Sequence, residues 1–340
     1  MNAHRKILAD IKNRQIKPIY FLHGEEPYFI DLISDYIADN VLTEDEKSFN
    51  QSILYGMDTT VDEVVASAKR FPMMAEYQVV ILKEAQGLGR GNVQSKLAEF
   101  ENYFKNPQLS TVLVVCFKYK KADGRRAYLQ AAKKNGVVFE SKKLYENKIP
   151  QFIQSNLEQS GFRISHKAAY MLTEFLGTDL GKINNELEKL RLVIPKGTEI
   201  TPELIEKNIG FSKDFNNFEL QNALGSNDFK KAFRIIDYFA QNPKDNPILG
   251  TLPLLFRYFS QLLQYHGLQD KSQKNVASQL KVHPFFVKDY AQAARVFSMK
   301  RCSHAIEVLR DVDVRVKGVG STTNVKQGDY LKELLVKIAR

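Results

Sequence analysis

The chain has 340 residues, 44% hydrophobic and 26% charged, with 2 cysteines and no tryptophan. That size predicts two or three domains, and the apolar content excludes a disordered chain or a small fold needing disulfide or metal staples. The net charge of +10 is uneven, because residues 211–340 carry 20 Lys+Arg against 12 Asp+Glu. That points either to an acidic partner such as nucleic acid or to a lysine-rich helical surface.

The start, MNAHRKILADIKNRQIKPIYFL, holds no apolar stretch long enough for a signal peptide or membrane span. Two distant cysteines, Cys116 and Cys302, suit a reducing compartment, so a cytoplasmic protein is expected. Over residues 1–140 the runs PIYFL, FNQSILY, QVVIL, TVLVVCF and GVVFES read as strands, with helical patterns near 27–42, 60–70, 91–105 and 125–135 between them. Thr60 and Glu63 form a capping box. Strand–helix alternation with continuous apolar strands predicts an α/β domain with a mainly parallel sheet covered on both faces. Cys116, inside TVLVVCF, reads as a buried thiol.

After GVVFES the strand signal stops. Over 141–210, Ser165 can cap SHKAAYMLTEFLG with Gly177 as its stop, and Asp179 can start DLGKINNELEKLRLVI. In that helix Leu180, Ile183, Leu187 and Leu190 share one face. TPELIEKNIG supplies a Thr cap, a Pro in the first turn and a terminal Gly. A small helical bundle is predicted there. From 211 to 340 the pattern is all helix, and the segment after Pro247 is apolar nearly all round, which implies burial on several sides or against partner subunits.

A strand that turns at glycine into a helix, YFLHGEEPYFID, has the outline of a phosphate-binding loop. Such a loop needs backbone donors, a lysine and a magnesium-binding hydroxyl. Here Glu25, Glu26 and Pro27 follow Gly24 instead, placing carboxylates at the helix start and removing a backbone donor. The next strand ends with Lys83 where an acid would hold magnesium, leaving only Glu84, and the one after it ends with Lys118 in place of a small polar sensor. Three independent parts fail together, so no nucleotide cofactor is expected. The six histidines are dispersed, and no metal-ligand spacing or nucleophile elbow occurs, so neither a metal nor a catalytic site is expected.

Four stretches, in order along nearly the whole chain, carry a family resemblance. PIYFLHGEEPYFID resembles the opening of the delta subunit of the bacterial DNA polymerase III clamp loader. GFRISHKAAYMLTEFLGTDLGKINNELEKL is similar to its second domain, and VASQLKVHPFFVKDYAQAARVFS with DVDVRVKG to its C-terminal collar. The resemblance implies an AAA+-like α/β domain without a functional phosphate loop (1–140), a small helical lid-type domain (141–210) and an all-α collar domain (211–340). It implies a non-catalytic subunit of a DNA-directed DNA polymerase holoenzyme, a nucleotidyltransferase assembly acting in DNA replication. The implied partners are the beta sliding clamp, the gamma/tau ATPase subunits, delta-prime and primed DNA, with no membrane. The implied action is to bind the clamp and open its ring for loading.

In KRFPMMAEYQVVIL, Phe71, Met73 and Met74 lie at a helix end between Arg70 and Glu76, and read either as core or as a flexible apolar knob of the kind used at adaptable surfaces. The resemblance makes them the clamp-binding wedge, although that family usually has leucine or phenylalanine at the two methionines. In KYKKADGRR, Lys118, Lys120, Lys121, Arg125 and Arg126 could track a DNA backbone without reading bases, or form a solvated loop. Residues 247–266 read as collar contacts. The competing readings are a nucleotide-binding AAA+ regulatory ATPase and a general DNA-binding scaffold.

Overall fold

Five apolar segments align side by side as one parallel sheet, and the other elements of the first 144 residues pack on it. The computed structural model describes residues 3–89, 93–210, 212–319 and 325–339. It divides into two compact units, residues 1–144 and 145–340.

The first unit runs α1 (Ala3–Lys12), β1 (Ile19–Gly24), α2 (Pro27–Asn40), α3 (Glu44–Asn50), β2 (Gln51–Tyr55) and α4 (Val61–Ala68). It continues with β3 (Gln78–Lys83), α5 (Val93–Ala98), α6 (Glu101–Lys105), β4 (Thr111–Lys118), α7 (Ala127–Asn135) and β5 (Val137–Ser141). The strand order is β2-β3-β4-β1-β5, and Phe21 of β1 stands opposite Val115 of β4 and Val138 of β5. All eight residues of β4 are buried, as a strand covered on both faces requires.

Alternate residues divide between the two faces. Ile19, Phe21, Leu113, Val115 and Phe117 pack with residues of α4, α6 and α7 in one cluster. On the other face α2 lies against β1, β3 and β4 and buries Ile30, Ile33 and Ile37. Cys116 is fully buried, and burial pushes its thiol up to about 12, so it is inert at neutral pH.

The sequence reading and the structure differ locally. The strand expected from Phe49 begins at Gln51, because a helix started by the Thr43–Glu46 capping box runs through Asn50, where the Gln51 N–H still donates to the Lys47 carbonyl. The helix expected near 91–105 breaks between Ala98 and Glu101, with Phe100 buried at the break; residues 91 and 92 lie outside the described residues. Thr60 makes its capping box as expected.

The second unit begins with α8 (Ile149–Gln159), β6 (Arg163–Ile164), α9 (His166–Leu176), α10 (Leu180–Val193), β7 (Glu199–Ile200) and α11 (Pro202–Ile209). The short β6–β7 parallel pair carried no strand signal in the sequence, since two residues are too few for a period. Ser165 and Asp179 cap α9 and α10 through the N–H groups of Ala168 and Lys182. Thr201 makes no side-chain cap on α11, and its hydroxyl serves the Glu203 carboxylate instead.

After these come α12 (Asn217–Gly225), α13 (Phe229–Gln241), α14 (Ile248–Gly267), α15 (Gln273–Leu280), α16 (Val287–Val296), α17 (Met299–Val316) and α18 (Gln327–Ala339). One core gathers Leu224, Phe239, Phe259, Phe297, Leu309 and Leu331 from these helices. Helix α14 buries Leu252, Leu255, Phe259 and Leu262 while leaving Leu249 and Phe256 exposed.

Gly24 closes β1 with φ +141°, and a Cβ there would come 2.0 Å from the Ser141 carbonyl oxygen. Only glycine permits both this conformation and this approach. Gly24→Ala is expected to destabilise the protein by roughly 2–3 kcal/mol, read as a lower urea midpoint at unchanged slope.

Candidate partner-binding site

Helix α4 ends at Ala68, and a nine-residue loop, 69–77, returns the chain to β3 at the amino-terminal edge of the sheet. Two buried amide side chains fix this loop. The Gln78 side-chain amide donates to the Ser67 carbonyl at 2.9 Å and the Arg70 carbonyl at 2.8 Å. The same amide reaches Thr111 Oγ1 at 2.9 Å, whose hydroxyl in turn donates to the Ala68 carbonyl at 2.8 Å.

Asn50, at the end of α3, holds the tip. The Met73 N–H donates to Asn50 Oδ1 at 2.6 Å, and Asn50 Nδ2 donates to the Met73 carbonyl at 3.0 Å. Asn50 Nδ2 also donates to the Glu46 carbonyl at 3.1 Å, which anchors the pin to α3. Both polar groups of the Met73 backbone are thus satisfied from within, and its side chain is left outside.

The exposures follow from this arrangement. Phe71 is 75% exposed, Met73 62%, and Met74 fully so. Met74 has φ +53°, a left-handed conformation that costs a non-glycine residue about 1 kcal/mol or more. Three large apolar side chains therefore stand in water within four consecutive residues on a hydrogen-bonded loop. Of the two readings left open for them, core is excluded within the folded chain. Phe49, beside the pin, is also exposed.

Neither Asn50 nor Gln78 was visible to sequence reasoning as part of a site. Their partners lie 23 residues away and up to 33 residues away, and no local pattern signals such bonds.

The carboxyl-terminal edge of the sheet is closed by its own charges. Glu26 is buried and caps α2, its Oε1 accepting from the Tyr28 N–H at 3.1 Å. It occupies the helix start that a phosphate would need. Lys83 pairs with Asp35 at 2.9 Å. The Lys118 ammonium lies 2.7 Å from Asp31 and 2.6 Å from Glu84, and Gln86 accepts the Lys118 N–H at 3.0 Å while bonding Glu84. Burial draws the Lys118 pKa down, but hydrogen bonds to Asp31 and Glu84 more than offset it, and the net shift is upward.

Lys118 is therefore 6% exposed and internally neutralised, which removes it from the five cations expected to be available to a nucleic-acid backbone. The other four are exposed. Lys121 pairs with Glu140 at 2.9 Å, and Arg125 grips Asp123 through Nε at 3.0 Å and Nη2 at 3.1 Å. Arg126 lies 3.9 Å from the same carboxylate, which these arginines hold down at about 2. Three of the four cations thus share Asp123 and Glu140. Among the described residues no group of three His, Cys, Asp or Glu side chains could hold a metal ion, and no helix is long and apolar enough to cross a membrane.

Comparisons with known proteins agree along the chain. A family model described as DNA polymerase III, delta subunit, matches residues 20–142, and one described as DNA polymerase III delta subunit, C-terminal domain, matches residues 214–336. The chain is 29% identical over 335 residues to DNA polymerase III subunit delta of Bacillus subtilis (strain 168), covering 97% of this chain and 95% of that protein. It is 22% identical to the probable DNA polymerase III subunit delta of Aquifex aeolicus (strain VF5), covering 75% and 72%. Among solved structures, the Bacillus subtilis DNA clamp loader delta protein (YqeN) aligns over 99% of both chains with 27% identity and a TM-score of 0.57.

Asn50→Ala is expected to release the loop tip without touching the three apolar side chains. Amide exchange at Met73 should accelerate about tenfold or more, reflecting roughly 1–2 kcal/mol of lost local protection, as read by hydrogen–deuterium exchange.

Proposed function

This chain belongs to the DNA polymerase III delta subunit family, and on that premise we propose that it grips the sliding clamp through Phe71, Met73 and Met74 and favours the open form of the ring. The observation that carries the reading is an apolar tip held outside the fold by Asn50. Burying a large apolar side chain contributes about 1.5–3 kcal/mol, so three of them supply real affinity once the cost of association is met. Methionine and phenylalanine adapt readily to a partner's pocket.

Opening the ring needs no chemistry in this subunit. A wedge that binds the open interface better than the closed one shifts the ring toward opening by that difference. ATP binding in the gamma/tau neighbours, rather than here, would govern when the tip is presented. The buried Glu26 cap and the Lys118 ion pairs support this assignment, since they fill the place a nucleotide would take.

The remaining parts have compatible roles. Residues 141–210 serve as a lid-type domain and 211–340 as a collar, where the exposed Leu249 and Phe256 of α14 meet a neighbouring subunit such as delta-prime. Lys120, Lys121, Arg125 and Arg126 contact the backbone of primed DNA in the assembled loader, weakly and without sequence preference.

Surface-immobilised clamp tests the wedge. A folded Phe71→Ala/Met73→Ala/Met74→Ala variant is expected to bind at least about 100-fold more weakly than wild type, and undiminished binding would show the assignment to be wrong. A Mg-ATP titration tests the closed sheet edge: the isolated chain is expected to give no binding at micromolar nucleotide, and a micromolar affinity would overturn the reading of residues 24–31.

A further inference from the structure

Two of the histidines, far apart in sequence, stack on each other in the second unit. His166 opens α9 and His283 lies in the turn between α15 and α16, and their ring centroids are 4.5 Å apart. The clamp-gripping reading gives this pair no role.

Hydrogen bonds fix what each ring does. The Phe285 N–H donates to His283 Nδ1 at 3.2 Å, so this nitrogen caps the short helical turn Pro284–Phe286. The Gln154 side-chain amide of α8 meets His166 Nδ1 at 2.8 Å, and an amide nitrogen can only donate. Both Nδ1 atoms therefore accept, which requires neutral rings with the proton on Nε2. The turn is also tied to α9 directly. The His283 N–H donates to the Tyr170 hydroxyl at 3.2 Å, and Phe286 packs edge to face on Tyr170 at 4.4 Å.

The surrounding elements supply no counter-ion. On α9, Lys167 pairs with Glu219, Glu174 accepts the Phe218 N–H, and burial holds the Tyr170 hydroxyl up at about 12, so it stays neutral. Arg257 of α14 pairs with Glu146. On α16 the Lys288 ammonium lies 4.9 Å from the centre of the Phe285 ring, with Asp289 beside it. Glu158 of α8, Lys274 of α15 and Lys281 are exposed to solvent. Among the described residues neither imidazole forms an ion pair with a carboxylate.

A proton on His283 Nδ1 would turn this acceptor into a donor and set it against the Phe285 N–H. It would also place a cation on the His166 ring. Burial and the neighbouring His166 accordingly hold the His283 pKa below its ordinary value.

We propose that the stacked pair is a pH-sensitive latch: neutral His283 closes the 283–286 turn onto α9, and protonated His283 releases it. The Lys167–Glu219 pair still ties α9 to α12, so the release is local.

The sign follows from the lowered pKa. The folded chain binds fewer protons at His283 than the unfolded one. Its contribution to stability is complete above the ordinary value of 6.5 and is lost as pH falls through that value toward the lowered one. Glu174 acts oppositely, because burial pushes its carboxyl up to about 7 and its protonation favours the fold. A global melt would mix the two, so the turn itself must be read.

Hydrogen–deuterium exchange of the full chain at pH 7.5 and 5.5, corrected for intrinsic rates, tests the latch. Peptides over 283–287 are expected to lose roughly three- to tenfold protection at pH 5.5, while those of α14 keep theirs. His283→Asn keeps a capping acceptor that takes up no proton, so it should show no such loss. His166→Gln keeps an acceptor for Gln154 and removes the second imidazole, so the His283 Cε1–H titration followed by NMR should move to a higher midpoint. Unchanged protection in wild type, equal loss in His283→Asn, or an unmoved His283 midpoint in His166→Gln would overturn the proposal.

Discussion

One buried ammonium ties the carboxyl end of the sheet together. Lys118 ends the central strand β4 and bonds at once to Asp31 of α2 and to Glu84 just beyond β3, while Gln86 closes the circuit back to its own backbone. Removing one partner of such a pair leaves uncompensated charge, which makes the arrangement hard to undo. In open α/β sheets, ligands ordinarily enter the crevice outside the carboxyl ends of the strands. Here that crevice is filled by the protein's own side chains.

The opposite edge carries the exposed apolar tip. The apolar tip sits where α4 turns back into β3, at the amino end of the same strands. Asn50 and Gln78 hold it by hydrogen bonds to backbone, so its conformation is set within the chain itself. The left-handed Met74 is a small local strain carried by an otherwise well-satisfied loop.

Much of the fold was legible in the chain. Long apolar runs such as TVLVVCF, separated by helical patterns, predicted the parallel sheet, and the structure has it. Caps at Thr60, Ser165 and Asp179 are sequence-local and were read correctly. The errors have physical causes. Phe49 looked like strand because it abuts an apolar run, yet it lies in the last turn of α3, which the Gln51 N–H closes onto the Lys47 carbonyl. Lys118 looked like part of a basic loop because nothing nearby in sequence shows that Asp31 waits 2.7 Å away. The family, likewise, was legible from four stretches in register, whereas the His166–His283 stack joins elements far apart in the chain and left no local trace.

The Asn50 pin has a consequence for how this surface can drift. Within the loop it bonds to the Met73 N–H and carbonyl, groups that every residue except proline provides. The tip is therefore indifferent to the identity of its own side chains. Leucine, phenylalanine or methionine could trade places at positions 73 and 74 while the loop keeps its shape. Asn50, whose side chain bonds both the loop tip and the Glu46 carbonyl, is the position with least latitude.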